Sequence, residues 1–396
     1  MEEMNTVDID PERQDKAREY ARIRRRLMLV SLGWNGAYAL VWLFTGWALD
    51  LRNWLLHFSS NPWALVAMFA VIFGAIDMIL SSPLSYYSGY VLPRRYGLSN
   101  QSLKDWIIDG IKGLLVGGPL GLGVLEVVYL LLRAEPQYWW LLASAFMLVF
   151  SVLLSNLAPI LIAPLFNKYV PLSEEHADLE ARLLQLAKKA HTRVRGVYKF
   201  DMSRQTSAAN AGLTGIGNSR RIVLGDTLIE NFTPDEIETV LAHELGHQVH
   251  GDIPLGIIFS TLTTLLGFFL ASLALNGGVV FFSFQSKGDI ATLPLLMLVF
   301  GIYGIVTMPL ENIFSRWRER RADEYALQST QKPTAFASAM TRLANQNLSE
   351  LDPEPWVEFL LYSHPTLKKR IDMAEHFSTQ QEESGKDNHA DGNPRR

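Results

Sequence analysis

Apolar residues along this chain are clumped rather than spread. Six stretches, 27–49, 63–91, 113–132, 138–166, 253–275 and 290–310, are apolar enough and about long enough to cross a hydrocarbon core that needs ~20 helical residues. The second contains one acid, Asp77, the third contains Glu126, and the sixth runs up to Glu311. Asn35 and Asn156 are milder polar positions of the same kind. Acids in such stretches are costly in lipid, so Asp77 and Glu126 are expected to face a hydrated chamber or a satisfied contact between helices. The first stretch is too long for the core of a cleavable leader and lacks a small-residue cleavage site after it. Pro83, Pro119, Pro254, Pro294 and Pro309 are expected to kink the spans.

Two segments between and after the spans, 167–251 and 312–377, are polar enough to fold outside the bilayer. Residues 174–189 space Leu179, Leu183, Leu184 and Leu186 as a helix does, while 194–200 and 221–224 are short β-rich runs. The expected fold class is a mainly α membrane protein: six transmembrane helices plus a small α+β region built from two segments. Residues 15–166 then form an N-terminal membrane region of four spans, and 167–375 a second region that includes the last two. The polar ends, 1–14 and 376–396, are expected to be disordered.

Charge adds an orientation. If the basic N-terminus is cytoplasmic, the outer loops hold only Arg52, Arg133 and Lys287 of the 36 lysines and arginines. That asymmetry places both termini and both polar segments on the cytoplasmic side. A net charge of −4 gives no footprint for nucleic acid. The absence of cysteine removes disulfides, thiolate-held metals and thiol catalysis. Any metal must be held by His, Asp or Glu.

Such a set exists. His243-Glu244-Leu245-Gly246-His247 is an H-E-x-x-H match, expected by chance roughly 0.01 times in a chain of this composition. Thr233-Pro234-Asp235-Glu236 reads as a capping-box start, and Ile237, Val240, Leu241 and Leu245 continue as an apolar helical face. On that helix His243 and His247 stand one turn apart, where two imidazoles can meet one Zn²⁺ and Glu244 can act on water beside it. Catalytic zinc takes a third protein ligand, and Glu319 in Ser315-Arg316-Trp317-Arg318-Glu319-Arg320-Arg321-Ala322-Asp323 is the candidate. Asp323, one turn later, can accept from a ligand imidazole and fix its tautomer. His250, one turn past His247, reads as a solvated or supporting residue, with Asp252 as its partner.

With these residues assembled, the chain resembles the membrane zinc metallopeptidases of the CAAX prenyl protease family. The likeness extends to Pro164-Leu165-Phe166-Asn167-Lys168-Tyr169, to Asn210-Ala211, to Arg221-Ile222-Val223-Leu224, and to Ser363-His364-Pro365-Thr366 followed by Arg370-Ile371. The resemblance implies one Zn²⁺ per chain on His243, His247 and Glu319, with Glu244 as general base and acid. It implies that His364 and Arg370 stabilise the oxyanion or position the substrate, and that Asn210 and Ala211 begin an edge strand that binds it. Two departures stand out. Gly212 replaces the aromatic usual after Asn-Ala, and the further span that eukaryotic members carry before the first is missing, which suggests a prokaryotic relative.

The leading expectation is therefore a monomeric, membrane-embedded zinc endopeptidase in a prokaryotic cell membrane, acting near the C-terminus of prenylated CAAX peptides with Glu244-activated zinc-bound water. A membrane quality-control protease of the HtpX kind, acting on non-prenylated peptides, is the nearest alternative. A transporter or channel using Asp77 and Glu126 is the alternative of another class.

Overall fold

In the computed structural model of the chain, residues 8–172, 174–215 and 220–390 are described, the last seven by backbone alone. Every expected span is a helix long and apolar enough to cross a membrane. Helix α1 is Pro11–Phe44, followed by the short α2, Trp47–Leu55. The second span is α3, Pro62–Tyr86, continued through a π-helical turn, Tyr87–Val91, into α4, Leu92–Arg95. The third is α5, Leu103–Ala134. The fourth is α6, Trp139–Leu157, continued through a second π-helical turn, Ala158–Ile162, into α7, Ala163–Phe166.

Strand β1, Tyr169–Pro171, helix α8, Ala177–Lys189, and strands β2, Val197–Phe200, β3, Ala211–Thr214, and β4, Arg221–Gly225, come next. Helices α9, Asp226–Asn231, and α10, Pro234–Val249, lead into the fifth span, α11, Asp252–Phe281. The sixth span belongs to α12, Leu293–Thr330, and is followed by α13, Pro333–Gln346, α14, Pro355–Leu361, and α15, Leu367–Ala390.

Several boundaries differ from the sequence expectation, each for a local reason. Asp10 accepts from the N–H groups of Glu12 and Arg13 with Pro11 opening the helix, so α1 begins inside the stretch expected to be disordered. Gln14 is buried there, donating to Ser349 O at 3.2 Å and accepting from Leu351 N at 3.1 Å. The first span stops at Phe44 rather than Leu49, because Gly46 takes a left-handed φ of 81° that ends α1 and opens α2. Helix α15 runs through Ala390, past the expected boundary at 375, as its Gln, Glu, Lys and Ala content allows. Residues 1–7 and 391–396 lie outside the described residues. Pro254 and Pro294 sit in the first turns of α11 and α12, where they break no ladder. Pro83, Pro119 and Pro309 are interior.

Arg52, Arg133 and Lys287 tie together the connections between spans in which they lie. Arg52 Nη1 meets Asp289 Oδ2 at 2.6 Å with both side chains buried. Lys287 Nζ donates to Pro136 O at 3.0 Å, and Arg133 packs on Gly288, where a Cβ would lie 2.5 Å from its Cγ.

The sheet has the order β1-β2-β4-β3, with β2 and β4 parallel and both outer pairs antiparallel. Among the described residues, strand β3 is an edge, paired only with β4 by the register Ala211 to Leu224 through Thr214 to Arg221. Two cores result among those residues. One lies among the spans, around Trp42, Phe69, Tyr129 and Trp139. The other joins the sheet to α8, α10, α12, α13 and α15 around Leu183, Ile222, Leu241 and Phe336.

Candidate metal centre

Helix α10 starts as the sequence predicts: Thr233 caps it, its hydroxyl accepts from Glu236 N, and Glu236 answers on Thr233 N. Its buried face, Ile237, Leu241 and Leu245, fixes which way His243 and His247 point. The facing helix is α12, the same unbroken helix that forms the sixth span. Hydropathy ends that span near residue 310; the backbone carries it on to Thr330 and so delivers Glu319 on a rigid extension of the membrane domain. Gly246 makes the close approach of α10 and α12 possible, since a Cβ there would lie 2.9 Å from Ala322 Cα.

The result is one cluster. Ligand atoms of His243, His247 and Glu319 all lie within 4.8 Å of one another. His243 Nε2 is 3.1 Å from Glu319 Oε2, and His247 Nε2 is 3.6 Å from Glu319 Oε1. The rings are nearly perpendicular, with centroids 4.9 Å apart.

The outer nitrogens are committed elsewhere. His243 Nδ1 meets Asp323 Oδ1 at 2.8 Å, and His247 Nδ1 meets Asp252 Oδ2 at 2.7 Å. Carboxylates there fix the Nδ1–H tautomer, so each Nε2 presents a lone pair inward. Among the described residues, Glu319 Oε2 is buried without a well-formed hydrogen bond. Two nitrogen lone pairs and a carboxylate facing one point repel unless a cation sits among them, so this donor set fits a metal ion. The His, His, carboxylate composition is that of catalytic zinc. Without metal, a proton fills part of that role. Burial alone would pull His243 down, but the Asp323 charge and hydrogen bond outweigh it, and its pKa is pushed up to about 9.

Glu244 lies on the same turn as the two imidazoles. Burial pushes its carboxyl pKa up, with partial relief from His243 and His247. His364 reaches the centre from the segment between α14 and α15. Its Nε2 is 3.3 Å from Glu319 Oε2, its Nδ1 is 2.9 Å from Ser363 Oγ, and its side chain is 54% exposed. Burial of the rest of the ring, despite the attraction of Glu319, pushes its pKa down.

Arg370 pairs with the carboxylate of Asp323. Its guanidinium grips Asp323 with two bonds, at 2.9 and 2.6 Å, and is buried. It stands behind the His243–Asp323 pair, with Nη2 3.3 Å from His243 Nδ1.

Asp252 is the residue that sequence reasoning misassigned. Its carboxylate goes to His247, not to His250, whose ring instead stacks edge-on against Tyr325 at 6.1 Å and whose buried Nδ1 has no hydrogen bond among the described residues. The cause is Gly251, whose φ of 66° turns the chain back between α10 and α11. Asn210 is exposed at the entry to β3, where its carbonyl accepts from Gly225 N at 2.9 Å, and Ala211 is the first residue of that edge strand.

A cavity of about 450 Å³ opens onto the centre between α6, α11 and α12, lined by His247, Asp252 and Glu319 with Ser151, Ser155 and Arg318. A larger one, about 770 Å³, lies among the spans and is lined by Asn35 and Glu311 among apolar residues. Asp77 lines a separate cavity of about 410 Å³ between α1 and α3, where Trp34 Nε1 donates to it at 2.9 Å. Glu126 has a buried carboxylate oxygen without a hydrogen bond among the described residues. Asn156 is satisfied within its own helix, by Val152 O at 2.6 Å.

Residues 2–168 match the profile described as CAAX prenyl protease N-terminal, five membrane helices, and residues 173–378 match peptidase family M48. The described part of the first region holds four candidate spans against the profile's five. The chain is 30% identical to CAAX prenyl protease 1 of Saccharomyces cerevisiae, over 94% of this chain and 87% of that one. It is 29% identical to an uncharacterized metalloprotease of Bacillus subtilis, YhfN, over 91% and 84%. The crystal structure of S. mikatae Ste24p superposes with a TM-score of 0.83 at 27% identity, covering 94% of this chain and 90% of that one.

Proposed function

Because the chain belongs to the M48 metallopeptidases of the CAAX prenyl protease type, we propose that it is a one-zinc endopeptidase that cuts isoprenylated Cys-a-a-X peptides after the modified cysteine. The observation that carries this reading is the convergence of His243, His247 and Glu319 on a helix pair rooted in six candidate membrane spans. Bound there, zinc would supply a Lewis acid for the scissile carbonyl and lower the pKa of water.

The remaining work falls to the chain itself. The open edge of β3, entered at Asn210 and Ala211, takes the peptide as an added strand. Glu244 removes a proton from the attacking water and returns it to the leaving amine. The half-exposed His364 imidazole supplies a donor to the oxyanion. Arg370, tied to Asp323, contributes positive charge from behind His243 and holds the carboxylate that orients it. Asp323 and Asp252 keep the two imidazoles in the tautomer a metal needs.

The protein works as a monomer in the cell membrane, with termini and centre on the cytoplasmic face, as the distribution of basic residues supports. Its partners are the bilayer and its peptide, not nucleic acid.

The test compares purified wild type with Glu244→Gln for bound zinc and for cleavage of prenylated and unprenylated versions of one peptide. Equal zinc, lost activity in the variant and preference for the prenylated peptide are expected. Activity retained in the variant, or after chelation, removes the mechanism. Equal turnover of both peptides would leave the protease intact and move it to the quality-control reading.

A further inference from the structure

Four polar residues of α12 follow one another at helical spacing: Asn312, Arg316, Glu319 and Asp323. Steps of four, three and four keep them on one face. Each meets a part of the segment that runs from α14 into α15. Asn312 Nδ2 donates to Leu360 O at 2.6 Å. Arg316 donates to Glu358 O at 2.8 Å, to Phe359 O at 3.5 Å and to Tyr362 O. Glu319 faces His364, and Asp323 grips Arg370.

The last four carbonyls of a helix have no partner within it. Helix α14 has only seven residues, too few to stand alone, and three of its last four carbonyls, on Glu358, Phe359 and Leu360, are satisfied from α12. The planar guanidinium fork suits several acceptors at once, where an ammonium offers a single point. A second brace comes from α1: Arg25 Nη1 meets Glu350 Oε2 at 2.8 Å, and Tyr362 Oη donates to the same oxygen at 3.3 Å. His364 follows two residues after the last carbonyl held, with its side chain otherwise half in solvent.

We propose that Arg316, assisted by Asn312, is a positioning residue for His364. The two fix the end of α14 to the helix that carries Glu319, so that the imidazole and the metal ligand keep one spacing. This rests on the reading of His364 as the donor to the oxyanion.

The test uses the full-length protein and a prenylated peptide, measuring kcat, KM and bound zinc. The forms are wild type, Arg316→Ala, Arg316→Lys, Asn312→Ala and His364→Ala, with each of the first three substitutions also placed on His364→Ala. Arg316→Ala and His364→Ala should each lower kcat by roughly 10- to 100-fold while KM and zinc stay within about twofold. Combined, they should cost less than about threefold beyond His364→Ala alone. Arg316→Lys should recover part of the loss. Losses that multiply, or zinc that falls in step with rate, overturn the proposal. Should Arg316→Ala fail to fold, Asn312→Ala decides by the same criterion: a kcat loss that vanishes on the His364→Ala background supports it, and any other result overturns it. Wild-type kcat in His364→Ala defeats the reading of His364 itself, and the positioning role with it.

Discussion

Gly246 and Ala322 pack backbone against backbone: a Cβ on Gly246 would lie 2.9 Å from Ala322 Cα and 3.1 Å from Ala322 O. Gly246 sits between the two histidines, and Ala322 sits between Glu319 and Asp323. One contact therefore sets the spacing of all four residues. An alanine at 246 would gain about 1 kcal/mol of helix propensity. It would also drive a methyl into backbone that cannot swing aside, at about 1–3 kcal/mol. The second effect wins, and it acts on the metal spacing. Gly246→Ala is expected to lose bound zinc and activity together and to lower Tm; full zinc content in the variant would refute this.

Glu244→Gln should separate catalysis from stability. On the proposed mechanism, loss of the carboxylate removes the base, at roughly 10²–10⁴-fold in kcat, while zinc stays, because Glu244 is not in the cluster His243, His247 and Glu319. Its pKa is raised in the fold by burial. A carboxyl raised above its unfolded value contributes stability only while protonated, so that contribution is present below about 4.5 and lost as pH rises through the folded value. Above the folded value the ionised group is a burden that glutamine removes. Metal-stripped Glu244→Gln should melt above metal-stripped wild type, and an equal or lower Tm would contradict the assignment.

The two carboxylates behind the histidines should not be equivalent. Asp252→Asn leaves His247 without its orienting acceptor and should weaken zinc affinity by about 10- to 100-fold. Asp323→Asn does the same for His243 and also strips the buried Arg370 of its charge partner, which costs about 3–5 kcal/mol more. Zinc titration and thermal melts of both variants test this. Similar Tm values for the two would show that the Arg370 pair carries less than its burial implies.

What the sequence revealed and what it hid have physical causes. His243, His247, Glu319 and Asp323 were legible because each pair lies one helical turn apart, and helix geometry alone puts such residues on one face. The capping-box start of α10 was legible for the same local reason, whereas the edge strand at Asn210 and Ala211 was expected from the family resemblance alone, because strand order depends on packing of distant segments. Asp252 was not. Its partner depends on the sign of φ at Gly251, which apolar periodicity does not record. The continuity of α12 was hidden because hydropathy reports where lipid contact ends, while backbone hydrogen bonding carries on. Arg370 was identified by motif, but its bond to Asp323 spans 47 residues and follows from packing alone.

On the proposed reading, the position of His243 makes zinc binding a proton exchange. Its pKa near 9 reflects Asp323 and Glu319 prevailing over burial, so near pH 7 the metal-free site holds a proton that zinc must expel. A raised histidine stabilises the metal-free fold fully below about 6.5, and that stability is lost as pH rises through the folded value. Metal affinity should accordingly climb with pH up to about 9 and then level as far as His243 is concerned. Calorimetric zinc titrations in buffers of different ionisation heat, near pH 7, should report about one proton released from this residue. Asp323→Asn removes the largest force holding that proton, so its release should be clearly smaller. The same release in wild type and Asp323→Asn would place the proton elsewhere and remove His243 as the residue that zinc displaces it from.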